Sequence, residues 1–162
     1  MICLKINLNM KHLPQKLQEI YVKLAKYCAY QERCTAEIYQ YLNRFELNQL
    51  EQETLIEQLK KDKFLDDERF AIQFAVGKFH TKKWGKIKIV YALKQKQISD
   101  TCIENALNHI PEQEYYFTLQ KLIEKSGYDT QDYVQRAKLL RFLQGKGYAY
   151  DEIKQVLNNV DE

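Results

Sequence analysis

Two adjacent carboxylates, Asp66 and Asp67, are the first grouping in this 162-residue sequence with the makings of chemistry, alongside four cysteines and three histidines. Paired carboxylates can hold a divalent cation. These two stand just before an apolar helical run, where acidic groups cap open N–H donors and meet the positive end of the helix dipole, and capping is the preferred reading. Cys3, Cys28, Cys34 and Cys102 form no C-x-x-C pair and no metal-ligand spacing with His12, His80 or His109. They read as ordinary buried or half-exposed thiols, with no metal site. The sequence holds no Gly-rich phosphate loop, no G-x-S-x-G elbow and no H-E-x-x-H. No catalytic residue and no cofactor is therefore expected, and the chain does not read as an enzyme.

Charge is the stronger feature. From Arg69 to Ser99 there is no Asp or Glu, while Arg69, Lys78, Lys82, Lys83, Lys86, Lys88, Lys94 and Lys96 supply eight positive charges. The whole chain carries only +3, so the remainder is acidic on balance and the basic stretch is a local patch. It centres on KFHTKKWGKIKI, where Trp84 and Gly85 interrupt the lysines. Lysines with an aromatic among them suit weak contact with nucleic acid, and they equally suit an acidic protein. Trp84 fits two roles, a packed anchor at a tight turn, which is preferred, or a stacking platform for a base.

The elements that must position these groups read as helices. Five Gly and two Pro are scattered among recurrent Leu, Lys, Gln, Glu and Ile. Residues 2–10 alternate in a strand period, and a lone strand cannot satisfy its edges, so residues 1–14 are expected to be a mobile tail. From Pro14 the period becomes helical, with Leu17, Ile20, Tyr21, Leu24, Ala25 and Cys28 on one stripe over 15–31. Thr35 is expected to N-cap a second helix carrying Ile38 and Leu42, and a third follows near 52–62. Further helices are predicted from Asp66–Glu68 to His80, after Gly85 to Lys96, after the cap Ser99 to His109, from Pro111, from Asp129 to the Gly145 and Gly147 pair, and beyond.

The segment from Ile89 to Ile110 aligns without a gap on that from Leu139 to Val160, matching Leu93 with Leu143, Lys96 with Lys146 and Ile103 with Ile153. A looser copy begins at Ile38. Three tandem helical units follow, at 15–65, 66–110 and 111–162, and such units stack on their neighbours. The expected fold is all-α, with tandem three-helix repeats stacked into an elongated curved body, most simply a monomer. No run is long and apolar enough for a membrane span and no secretory leader is evident, so a cytoplasmic protein is expected.

The stretches YCAYQERCTAEIYQYL, FLDDERFAIQFA, KKWGKIKIVYALKQKQIS and RFLQGKGYAYDEI resemble, in order and spacing, the successive signatures of the RecX family, from about Tyr21 to Val160. The resemblance implies a regulator that binds the RecA filament on single-stranded DNA. Such a regulator typically restrains RecA's ATPase, strand exchange and co-protease function in recombination, DNA repair and the SOS response. In it, Asp66, Asp67, Arg69 and Phe70 match one motif, and Trp84, Gly85, Lys86 and Ile89 the next, with structural or binding roles. A module acting directly on single- or double-stranded DNA through weak, non-specific contact is the alternative.

Overall fold

The computed structural model describes residues 13–160, and among them it contains nine helices and no strand. The strand-like alternation of residues 2–10 lies outside the described residues. The helices are α1 (Gln15–Tyr30), α2 (Thr35–Leu42), α3 (Gln49–Lys61), α4 (Asp67–Lys82), α5 (Lys86–Gln95), α6 (Asp100–Asn108), α7 (Glu112–Ser126), α8 (Tyr133–Lys146) and α9 (Tyr150–Val160). The fold is all-α. The chain forms two compact units, one up to Phe70 and one from Ala71 onward, with the division inside α4.

In the first unit, the predicted stripe of α1 is buried in full, and α1 and α2 pack on α3. Tyr21, Leu24, Ile38, Leu42, Leu55 and Leu59 are completely enclosed, and Leu13 and Leu65 close the cluster at its ends. Each such leucine or isoleucine contributes about 2 kcal/mol of apolar burial, and together they outweigh the short length of α2, which would not persist alone. Thr35 is the first residue of α2 and not its cap; Cys34 precedes it without a side-chain cap bond, because the cap comes from another element. The third helix begins earlier than expected, at Gln49. Asn48 accepts from the Glu51 N–H and the Glu51 carboxylate accepts from the Asn48 N–H, a reciprocal capping box.

In the second unit, the sequence repeat has a structural counterpart. Leu93 and Leu143 are both fully buried, as are Ile103 and Ile153. At the aligned turn residues Gln97 and Gly147 the backbone enters the left-handed region, with φ of 58° and 96°. The next residue in each turn donates its N–H to the carbonyl of that leucine, Ile98 to Leu93 and Tyr148 to Leu143. The same helix–turn–helix is thus built twice, once with the strain of a non-glycine residue. Helix α8 starts at Tyr133 and not near Asp129: Asp132 accepts the Gln135 N–H as the cap, while Asp129 accepts from Gln131 within the preceding loop.

Candidate functional site

The D-D-x-R-F residues belong to the first unit and fasten its helices. Asp66 accepts the Arg69 N–H at 2.9 Å, capping its own helix α4. Asp67 reaches to α2, its two carboxylate oxygens accepting the Thr35 N–H at 2.7 Å and the Thr35 hydroxyl at 2.6 Å. Adjacent carboxylates therefore cap two different helices, and Lys60 stands 3.9 Å from the second. Arg69 donates from Nε to Glu32 at 2.7 Å and has Asp66 3.8 Å from Nη1. That hydrogen bond, more than any other influence, raises the arginine pKa further. Phe70 is buried, 6% exposed. Arg69, expected in the basic patch, spends its fork on Glu32 and Asp66 and lies in the other unit from the seven lysines.

The W-G-K residues of the second unit form a clasp of backbone on backbone. Gly85 donates its N–H to the Lys146 carbonyl at 2.8 Å, and Ile87 donates to the Gly147 carbonyl at 3.1 Å. A Cβ on Gly85 would stand 2.3 Å from the carbonyl carbon and oxygen of Gly147, and one on Gly147 would stand 2.4 Å from Lys88 Cβ. Both positions demand glycine for close approach, and Gly147 also for its positive φ. Tyr115 completes the joint. Its hydroxyl donates to Glu152 at 2.9 Å and accepts the Lys86 N–H at 3.1 Å, while Glu152 also accepts the Ala149 N–H at 2.8 Å. Burial, above all, pushes the Tyr115 phenol well above the usual tyrosine range. Ile89 is fully enclosed beneath the turn.

The lysines surround this clasp. Lys78 and Lys88 place their ammonium groups 5.3 and 5.0 Å from the centroid of the half-buried Trp84 ring, and Lys86 lies 4.7 Å from that of Tyr115. Lys88 also donates to the Gly145 carbonyl at 2.9 Å. Lys82 and Lys83 are exposed, and Lys83 holds the left-handed turn that ends α4, with φ of 54°. Lys94 pairs with Asp100 at 3.1 Å, and Lys96 approaches the Phe74 ring at 5.9 Å. Lys146, absent from the expected set, joins them by donating to the Lys82 carbonyl at 3.4 Å. Its only sequence signal was its alignment with Lys96. The half-buried indole thus carries two of the protein's own lysines against its ring.

Among the described residues no group of three or more His, Cys, Asp or Glu could hold a metal ion, and no helix is long and apolar enough to cross a membrane. Cys28 and Cys34 are buried free thiols, and burial pushes the Cys28 thiol up to about 11, so it stays protonated at neutral pH.

Two family models match in succession: the second three-helix domain of RecX over residues 66–107 and the third over residues 113–157. The regulatory protein RecX of Bacillus mycoides (strain KBAB4) is 26% identical over 151 residues, covering 91% of this chain and 56% of that protein. The regulatory protein RecX of Streptococcus uberis is 29% identical over 138 residues, covering 83% and 52%. The chain thus spans about half the length of the curated relatives it matches. The crystal structure of RecX from Lactobacillus salivarius is similar in fold, with a TM-score of 0.83 at 23% identity, covering 92% of this chain and 99% of that one.

Proposed function

The chain belongs to the RecX family, and from that premise we propose that it is a cytoplasmic regulator that binds the RecA nucleoprotein filament and lowers its ATPase, strand-exchange and co-protease activities. The observation that carries this reading is the succession of the second and third RecX domain models, in order, along one chain. The lysines around Trp84 support it physically. Lys78, Lys82, Lys83, Lys86, Lys88 and Lys146 lie on or beside one rigid backbone clasp, so their charge is presented from a fixed base. A surface of this sign is drawn to the acidic partner that a nucleoprotein filament offers, through its DNA phosphates or through acidic protein side chains. In this reading Arg69, Asp66, Asp67, Phe70, Gly85 and Ile89 shape the scaffold, and the lysines make the contact.

The deciding experiment is the single-stranded-DNA-dependent ATPase rate of the cognate RecA with this protein titrated in. A fall at sub-stoichiometric ratios is expected of a regulator acting on filament ends or breaks. An unchanged rate at equimolar protein, with filaments verified by microscopy, would overturn the reading. Direct action on DNA is the second reading, favoured by the lysine density alone; it requires steep loss of oligonucleotide affinity with salt and no need for RecA.

A further inference from the structure

The first unit carries a second candidate surface of different chemistry. Arg33, in the connection between α1 and α2, lies with its guanidinium carbon 4.0 Å from the centroid of the Tyr27 ring. Tyr27 stacks on Tyr41 at 4.8 Å and 26°, and the guanidinium carbon of Arg44 lies 5.0 Å from the centroid of the Tyr41 ring. The result is a four-layer stack of arginine, tyrosine, tyrosine and arginine. With Glu37 and Gln40, these four side chains line an open cleft of about 180 Å³. Arginines laid on aromatic faces keep their in-plane donors available, and stacking removes the rotamer freedom that binding would otherwise have to freeze.

One of those donors is conspicuous. Arg33 Nε is buried and has no hydrogen-bond partner. Glu37 stands 3.8 Å from Arg33 Nη1, an ion-pair distance. The Nε nitrogen is sealed from solvent, so an incoming acceptor meets Arg33 through the part of its side chain that stays exposed. Two guanidiniums against one carboxylate also leave the cleft with a single positive charge in excess.

We propose that this cleft receives one carboxylate, an Asp or Glu side chain presented by a protein partner, which pairs with the exposed Arg44 and with the outer edge of the Arg33 guanidinium. A nucleic-acid backbone fits less well. Residues 1–70 hold eleven Lys and Arg against eleven Asp and Glu, so the unit as a whole offers a polyanion no net attraction, while the single excess charge of the cleft matches one carboxylate. The identity of the partner as the filament's protein component rests on the function proposed above; the chemistry of the cleft does not.

The test uses the full chain. The Arg33 Nε–H resonance is followed by NMR during titration with a hexaglutamate peptide and, separately, with an oligothymidylate. In parallel, filament affinity is measured for the wild type, Arg33→Gln and Arg44→Gln, with thermal melts as the folding control. Arg44 is exposed, so its variant keeps the test intact where Arg33→Gln disturbs the α1–α2 connection. A saturable shift with the peptide, none with the oligonucleotide, and about tenfold weaker filament binding by Arg44→Gln at unchanged melting temperature are expected. A shift with the oligonucleotide alone, or with neither probe, overturns the proposal whatever the filament does. Full filament affinity in Arg44→Gln overturns it also. A peptide-induced shift in a chain that ignores the filament removes the filament reading and leaves the carboxylate site standing.

Discussion

At residues 66–69 the chain is fastened by charged side chains, and at residues 85–88 it is fastened by backbone. Asp66, Asp67 and Arg69 tie α4, α2 and Glu32 together through carboxylates and a guanidinium. Gly85 and Ile87 reach the 146–147 turn through peptide groups alone. The two joints do the same work of closing open helix ends, and they differ in what can weaken them. Ionic caps are screened by salt and tolerate conservative exchange at moderate cost, whereas a backbone clasp is indifferent to salt and tolerates no Cβ at all.

The sharpest way to break the comparison is to add a methyl group to the clasp. Gly147→Ala combines a clash with Lys88 and a left-handed φ, and Gly85→Ala places its Cβ against the Gly147 carbonyl. Each should lower stability by at least about 3 kcal/mol in urea denaturation, and the double variant should lose little more than either single, because both open one joint. Tyr115→Phe leaves the Lys86 N–H without its acceptor and Glu152 short of a donor, and should cost about 2 kcal/mol by the same measurement. Asp67→Asn keeps the shape of the ionic joint but removes its charge. A loss of about 1 kcal/mol is expected, shrinking as sodium chloride rises, while the Tyr115→Phe loss stays constant. Replacing Lys82 and Lys83 with Gln should change stability by less than about 0.5 kcal/mol and yet weaken filament binding measurably. Lys86 and Lys88 make poorer probes, since one lies on Tyr115 and the other holds the Gly145 carbonyl, so reversing their charge would disturb the joint as well as the surface.

What the sequence revealed and what it hid follow the same division. The apolar stripe of α1 was legible because its residues recur every three or four positions and all face one core. Capping by Asp66 was legible because a cap acts within its own turn. Capping of α2 by Asp67 was not, since the acceptor lies 32 residues from its donor and nothing local betrays the pairing. Gly147 is recognisable as a helix stop, whereas Gly145 lies inside α8, and the need for Gly147 opposite Gly85 arises only when two turns meet in space. The N-x-x-E spacing of the capping box at Asn48 is present in the sequence and marks a helix start earlier than the apolar stripe alone indicates. The lysines are visible as a run without acids; their seat on Trp84 and Tyr115, and the engagement of Arg69 with Glu32, depend on packing.

The clasp also sets an order of events while the chain is being made. The acceptor of the Gly85 N–H is the carbonyl of Lys146, 61 residues later. At translation rates of about 5–20 residues per second, the W-G-K turn must wait roughly 3–12 s for its partner to be synthesised. Until then the start of α5 has only the Tyr115 hydroxyl on its Lys86 N–H, and a nascent chain halted between the two turns offers an open pair of amides at Gly85 and Ile87. The last helices are therefore a closing element for the helices before them, and a ribosome stalled in α8 would hold a protein whose lysine surface has charge but no fixed base.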